Sequence, residues 1–282
     1  MRMLVPLKYG LVLTLVVGLL FSSSVFSVLV YGKMSGKSWA SFPTGTVSAA
    51  EVPAEPSAAP PAEAAPVQSA PPQQTEPLQP KKDSVLLEAP IILQNPELPR
   101  GCEITSLTML LQFYGYNIGK MELAAEMLRD PTPLVRDKAG RIASWGNPNT
   151  GFVGEVTAAG AGFGIYHKAL FPTLEKYVPT AVDLTGSEFD ILEHKLSQGI
   201  PVVVWTTINY QVPYNWVQWN SPDGPVRVTF SEHSVLLTGY DRDSVYVNDP
   251  LKSSANIKVD KAQFVKSWAA LGKQALSYNS FK

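Results

Sequence analysis

The sequence predicts an α+β fold for its folded part, because helical patterns come first along the chain and strand patterns follow. From Cys102 to Tyr114 apolar residues recur at helical spacing, and Gly115 provides the end of the helix. Further helices are predicted over residues 120–128, 186–196 and 261–271, and strands rich in β-branched residues over 201–208, 234–240 and 244–248. We therefore expect an N-terminal helix packed on an antiparallel sheet.

Composition and charge exclude little and point to no charged partner. The chain has 282 residues, with 23 Lys and Arg against 24 Asp and Glu, and a formal net charge of −1. Neither sign forms a run, so electrostatics do not favour nucleic acid or an acidic substrate. We expect no nucleic-acid partner.

Cys102 is the only cysteine of the chain. A lone cysteine excludes an intrachain disulfide framework and any zinc site built on several thiolates. The segment GKMSGKS at residues 32–38 resembles a phosphate-binding loop, but it has one residue too few between its glycines. We therefore expect no cofactor and no metal, and Cys102 is either a buried thiol or a reactive one.

The N-terminal region predicts a membrane anchor. After a short tail, residues 1–8, the stretch 9–31 is uncharged, rich in Leu, Val and Phe, and long enough for a transmembrane helix. A cleaved signal peptide is the alternative, although the apolar run continues past the small residues 22–24, which favours an uncleaved signal-anchor. Equal numbers of positive charges flank this stretch, so they do not set its orientation. The short N-terminal tail and the large C-terminal part predict a single-pass cell-membrane protein whose domain is extracytoplasmic.

Residues 32–82 are predicted to form a linker. Much of this stretch consists of Pro, Ala, Glu, Gln and Ser, as in EVPAEPSAAPPAEAAP, and it has almost no aromatic or β-branched residues to bury. We expect a disordered spacer that carries no chemistry. The predicted folded domain then covers residues 83–282.

The position of Cys102 at a helix start favours a reactive thiolate, because free amide groups and the positive end of the helix dipole stabilise negative charge there. Three histidines are available as a base. His194 lies in an amphipathic helical stretch, and His167 follows a glycine-rich segment, so a surface or structural role is expected for both. His233, at the start of a predicted strand, is the predicted base.

Asp249 is predicted to orient His233. In a simple antiparallel hairpin turning near residue 241, Asp249 lies opposite His233, while Val235 and Leu237 face apolar partners on the next strand. A carboxylate at this place holds the imidazole in one tautomer, as the third member of a catalytic triad does. A bulge in the hairpin would change this pairing.

Acyl-transfer chemistry also needs hydrogen-bond donors for the oxyanion. The backbone N–H of Cys102 is one candidate. Gln94, eight residues upstream on an extended segment, offers a side-chain amide as the second. From the residues alone, the preferred interpretation of Gln94 is an ordinary polar residue of a strand.

The order of these residues resembles that of papain-like cysteine peptidases, and more narrowly of the bacteriocin-processing (double-glycine leader) peptidase-like family. The matching segments are ILQNPELPRGCEITSL, with Gln94 and Cys102, then EHSVLLTGYD, with His233, and VYVNDPL, with Asp249. The resemblance covers roughly residues 87–270 and implies a papain-like fold and these four catalytic residues. The chain lacks an ATP-binding cassette and has Glu103 where leader peptidases have a glycine, so it is similar to the stand-alone branch of the family.

The resemblance implies hydrolysis of a peptide or protein substrate. The same triad also serves acyltransferases and transpeptidases, and a non-catalytic module that binds peptide or cell-wall material is a third possibility. Four aromatic residues of the segment 208–228 either line a peptide groove beside His233 or close one end of the core: Tyr210, Tyr214, Trp216 and Trp219.

Overall fold

The computed structural model describes residues 80–280. Five helices occur in this part of the chain: α1 Cys102–Tyr114, α2 Lys120–Glu126, α3 His167–Tyr177, α4 Phe189–Ser197 and α5 Lys261–Ala270. The strands are β1 Val85–Leu86, β2 Arg129–Asp130, β3 Val135–Arg136, β4 Ile142–Ser144, β5 Phe152–Val153, β6 Ala181–Asp183, β7 Val202–Thr207, β8 Trp216–Ser221, β9 Gly224–Thr229, β10 Glu232–Tyr240, β11 Ser244–Asn248, β12 Ile257–Asp260 and β13 Ala275–Tyr278. The predicted α+β class is confirmed.

The central feature is an antiparallel sheet in the order β12-β11-β10-β7-β13-β6, with β1 also paired to β10. Alternate residues of its inner strands enter two separate cores, because side chains of a strand point to opposite faces in turn. Trp205 and Leu236 pack with α1, α2 and α3 on one face. Val204 and Val235 pack with α4 and α5 on the other. The sheet is therefore buried on both faces.

Helix α1 begins at Cys102 and is buried over its first ten residues. It ends at Gly115, which adopts φ 113°, in the left-handed region where glycine is favoured, and whose N–H caps the carbonyls of Leu111 and Gln112. Both ends of this helix agree with the sequence prediction. The nucleophile candidate is thus fixed to a rigid, well-packed element.

Several elements differ from the prediction. Helices α2, α4 and α5 lie where helices were predicted, with ends that differ by at most three residues. Helix α3 was not predicted, and His167, expected in an irregular segment, is its first residue. The aromatic segment, predicted as a loop, forms the β8–β9 hairpin, which joins β3 and β4 in a four-stranded sheet.

The register predicted for the β10–β11 hairpin is wrong. Leu237 pairs with Val247 and Tyr240 with Val245, and a bulge lies between residues 237 and 239. Relative to the prediction, the register is shifted by two residues on the His233 side of the bulge. Because side chains alternate between the faces with a period of two, this even shift leaves His233 and Asp249 on the same face.

The predicted tail, membrane anchor and most of the linker lie outside the described residues. Within residues 80–280, no helix combines the length and apolar character that a membrane crossing requires. Lys81, near the end of the predicted linker, contacts the folded domain, and its ammonium group pairs with Glu193 at 2.5 Å.

Candidate active site

Cys102 is the first residue of α1 and is only 7 % exposed. Gly101, immediately before it, allows the chain to pass close to the core, because a Cβ at this position would lie 2.7 Å from the Cβ of Leu98. The Cys102 thiol donates to Oε2 of Glu103 at 3.3 Å. Its sulfur also receives a backbone hydrogen bond from Ser234, the residue that follows His233. The nucleophile candidate is therefore held against strand β10.

The expected lowering of the Cys102 pKa is not found. Burial and the negative charges of Glu103 and Glu232 raise the pKa of the Cys102 thiol well above its ordinary value, against the backbone hydrogen bond from Ser234. The prediction rested on the helix terminus alone. In the substrate-free protein these influences favour the protonated thiol.

Two buried glutamates accompany the sulfur. Oε1 of Glu103 accepts a hydrogen bond from the N–H of Ile165 at 2.8 Å, while Oε1 of Glu232 is buried without a partner among the described residues. Burial raises the pKa of Glu103 to about 7, and burial together with the charge of Glu103 raises that of Glu232 well above its usual range. A Cβ at Gly164 would lie 2.3 Å from Glu103 Oε1, so a larger residue there would displace this carboxyl group.

His233 and Asp249 form a buried pair. Nε2 of His233 lies 2.7 Å from Oδ1 of Asp249, and the two side chains are 2 % and 1 % exposed. Burial works to raise the pKa of Asp249, but hydrogen bonds from His233 and Tyr210 and the positive charge of His233 outweigh it and lower that pKa. An ionised carboxylate only accepts, so Nε2 of His233 carries the hydrogen and a neutral ring keeps its lone pair on Nδ1.

The pairing of His233 with Asp249 follows from the observed register. Extending the pairing of Leu236 with Asn248 by one residue places Asp249 opposite Val235, two residues from His233 on the same face. Such diagonal neighbours are roughly 7–8 Å apart at their Cα atoms, which a histidine ring spans. The contact between His233 and Asp249 is therefore present, although the register from which it was predicted is wrong.

Tyr210 is a third member of this hydrogen-bonded group. Its hydroxyl donates to Oδ2 of Asp249 at 2.7 Å. The residue has φ 59°, which is uncommon for a residue with a side chain and indicates a locally constrained backbone. Tyr210 thus occupies the second oxygen of Asp249 and leaves the first to His233.

Replacing Tyr210 with Phe is expected to lower the free energy of unfolding by about 1–2 kcal/mol, because one oxygen of a buried carboxylate loses its donor. Denaturant titration measures this change. Tyr214→Phe is the matched control: Tyr214 is 94 % exposed, so its loss should leave stability within about 0.5 kcal/mol. Equal effects at the two positions would contradict a supporting role for Tyr210.

Gln94 is buried beside the nucleophile segment. Its Nε2 donates to the carbonyl of Pro99 at 2.8 Å, and its Oε1 is buried without a partner among residues 80–280. The Gln94 backbone N–H donates to the carbonyl of Pro250, which follows Asp249. The second Nε2 hydrogen remains available, so the oxyanion role of Gln94 stays a prediction.

The other two histidines lie in separate hydrogen-bonded pairs. Nδ1 of His167 lies 2.6 Å from Asp183, and Nε2 of His194 lies 3.3 Å from Asp190 within helix α4. The structure therefore brings together His233 and Asp249 and places Cys102 beside the backbone of Ser234. The thiol hydrogen bond runs to Glu103, so the pairing of Cys102 with His233 stays a prediction.

The four aromatic residues of the segment 208–228 have different surroundings. Trp219 is buried with Trp145 and Phe163 in a small separate core. Trp216 lines a surface groove of about 640 Å³ together with Arg136, Arg141 and Phe230, among others. Tyr210 contacts Asp249, as described, and Tyr214 is exposed. Trp219 thus has the predicted core role, whereas a peptide groove beside His233 stays a prediction.

Sequence reasoning missed Glu232 as a neighbour of the sulfur. A carboxylate at the first residue of a strand is ordinarily exposed, and nothing in the sequence marks Glu232 as buried. The sequence marked Glu103 only as a residue that stands where the leader peptidases have a glycine. The signal that was available for Glu232 is positional: it directly precedes the predicted base and shares a strand face with Ser234 and Leu236.

A cysteine at a helix start and a buried histidine–carboxylate pair on a neighbouring hairpin, within a mixed helix and sheet domain, define a cysteine peptidase-like protein. Residues 86–276 match the Peptidase_C39 like family. The chain belongs to this family.

Two similar proteins come from bacilli. One is the uncharacterized protein YvpB of Bacillus subtilis (strain 168), 39 % identical over 191 residues that make up 66 % of this chain and 73 % of YvpB. The other is a protein of Bacillus anthracis whose crystal structure is described as that of a C39-like peptidase. It superposes with a TM-score of 0.64 at 40 % identity, covering 71 % of this chain and all of that chain. The predicted papain-like peptidase family is confirmed.

Proposed function

We propose that this protein hydrolyses peptide bonds, with Cys102 as nucleophile, His233 as base and Asp249 as the residue that orients His233. The observation that carries the proposal is the buried His233–Asp249 pair, which leaves the lone pair of a neutral His233 on Nδ1. The next residue along the strand, Ser234, hydrogen-bonds the Cys102 sulfur through its backbone. This contact supports placing the sulfur within reach of the base.

The reaction begins with a proton transfer, because the resting thiol is protonated. His233 takes the thiol proton as the sulfur attacks the substrate carbonyl, and the developing oxyanion is stabilised by the Cys102 N–H and the free hydrogen of Gln94. Collapse breaks the C–N bond, and His233 returns its proton to the leaving amine. Water, deprotonated by His233, then attacks the thioester, which releases the new carboxylate and restores the thiol.

We propose in addition that residues 9–31 anchor the protein in the cell membrane and that the catalytic domain lies on the extracytoplasmic side. The uncharged apolar stretch and the following Pro/Ala-rich linker support this. A linker in an extended polyproline-like state would hold the domain on the order of 100 Å from the bilayer. Protease accessibility of the domain in intact cells tests the orientation, and a domain protected until the cells are lysed would contradict it.

The proposed hydrolysis is tested with the full-length protein and a library of mixed peptides in water enriched in ¹⁸O. We expect fragments whose new carboxyl group carries solvent ¹⁸O, and a thioester adduct on Cys102 by mass spectrometry after rapid acid quenching. Because Cys102 is the only cysteine, any thioester reports on this residue. The matched variant Cys102→Ala should give neither product.

The same experiment separates the alternatives. If added amines appear at the new carboxyl end in preference to ¹⁸O, the protein is a transferase and the hydrolytic proposal is wrong. If peptides bind but neither fragments nor thioester form, the protein is a binding module. Cleavage by Cys102→Ala equal to that of the unaltered protein would remove Cys102 from the mechanism.

A further inference from the structure

The Cys102 sulfur, Glu103 and Glu232 form a compact group of potential metal ligands. One ligand atom from each residue can be chosen so that all three lie within 4.8 Å of one another, and all three residues are buried. The three come from two elements, the start of α1 and the start of β10, so the group is assembled by the fold. Glu103 and Glu232 are not required by the proposed reaction.

No cationic side chain that the structure describes accompanies this group. Neither Glu103 nor Glu232 forms an ion pair with a Lys, Arg or His among residues 80–280. Glu232 is 8 % exposed, and its Oε1 is buried with no hydrogen-bond partner in that same range. A buried carboxylate oxygen without a partner is costly and calls for a ligand that carries positive charge or donates hydrogen bonds.

The chemistry and spacing of the three ligand atoms suit a zinc ion. Zinc accepts one thiolate with two carboxylates, at about 2.3 Å to sulfur and about 2.0–2.2 Å to oxygen, which places two ligands of a tetrahedral ion about 3.5 Å apart. The Cys102 sulfur and Glu103 Oε2 are already 3.3 Å apart. The remaining separations need to shorten by no more than about 1.3 Å, and the fourth position would stay open to water.

We propose that Cys102, Glu103 and Glu232 together bind a zinc ion, and that the bound ion blocks the nucleophile. Binding releases the thiol proton, and any proton held by the two carboxyl groups, to solvent, without oxidation or reduction. The sulfur lone pair that would attack a substrate is then held in the metal–sulfur bond. The single cysteine of the sequence excludes only zinc sites that are built on several thiolates. It does not exclude a site with one thiolate and two carboxylates.

Binding is tested first on the full-length protein alone, freed of metal with a chelator that is then removed. Cadmium serves as the probe, because a cadmium–thiolate bond gives an ultraviolet charge-transfer band, and Cys102 is the only thiolate that can produce it. We expect a band that saturates at one cadmium ion per chain. Zinc should displace cadmium and slow the alkylation of Cys102 by iodoacetamide at least about tenfold, whereas magnesium should have no effect.

Variants identify the ligands. Cys102→Ser should abolish the band, and Glu103→Gln and Glu232→Gln should each weaken cadmium binding by about tenfold or more. Glu175→Gln is the matched control, because Glu175 is an exposed carboxylate on α3 and should leave binding unchanged. Circular dichroism of each variant checks that the fold is retained. The cadmium titration of the unaltered protein tests binding independently of the variants.

A band that fails to saturate at one ion per chain, or that keeps its affinity in both glutamate variants, would mean that the lone thiolate binds metal on its own and would overturn the proposal. Equal slowing of alkylation by magnesium would also overturn it. Blocking of catalysis rests on the proposed peptidase function, but metal binding does not. Bound cadmium in a protein that cleaves no peptide would contradict the function alone, and cleavage without cadmium binding would contradict the site alone.

Discussion

Replacing His233 with Ala should lower kcat/KM for peptide hydrolysis by at least about 10³-fold, equivalent to about 4 kcal/mol of transition-state stabilisation. The loss should be this large because burial and two carboxylates raise the pKa of the Cys102 thiol and so favour its protonated form. A thiol of this kind cannot attack without a base to take its proton. Steady-state rates on any peptide that the unaltered protein cleaves provide the measurement.

Two further variants make this result specific. Asp249→Asn keeps the shape of the buried pair but removes the charge that favours a protonated ring, so a large loss of kcat is expected there as well. His194→Ala removes a histidine that pairs with Asp190 on helix α4 and should leave the rate unchanged. If folded His233→Ala retained more than a tenth of the activity, His233 would not be the base.

Replacing Trp205 with Ala should lower the free energy of unfolding by about 3–5 kcal/mol. Trp205 lies on β7, is fully buried in the core beneath α1, and is among the largest buried side chains of the described residues. Its indole N–H donates to the carbonyl of Ile165 at 3.0 Å, and the Ile165 N–H in turn donates to Glu103. The substitution therefore leaves a cavity and removes the donor that ties the segment 163–166 to the sheet.

Chemical denaturation of the variant and the unaltered protein measures this loss. Trp216→Ala is the matched control, because Trp216 is half-buried and its ring stacks against Arg227 at 4.1 Å. About 1 kcal/mol is expected there, from lost stacking and a smaller buried area. A loss at position 205 no larger than at position 216 would show that the core relaxes around the missing indole.

The His233–Asp249 contact shows what sequence can establish about a site. The pairing was predicted from a simple hairpin, and the bulge at residues 237–239 displaces the register. The contact survives because the displacement is by two residues, which preserves the face of the sheet on which each side chain lies. Alternation is a local property and can be read from the sequence, whereas the position of a bulge depends on packing against the rest of the sheet.

The surroundings of Cys102 show the limit of the same reasoning. Both ends of α1 were predicted correctly, since they depend on the apolar spacing and on the glycine that follows the helix. The direction of the Cys102 pKa was not, because it is decided first by burial and then by Glu103 and by Glu232, which is 130 residues away in the chain. Helix α3 was missed for a related reason: Pro172 lies in its interior, and proline ordinarily ends a helix.

The backbone of Ser234 has a mechanical consequence. Its carbonyl accepts from the hydroxyl of Ser106, and its amide bonds the sulfur of Cys102, so the first turn of α1 bonds directly to the backbone of β10. The helix start that carries the thiol and the strand that carries His233 are therefore bonded to each other. In the proposed reaction, the proton donor and the proton acceptor would then move together with strand β10.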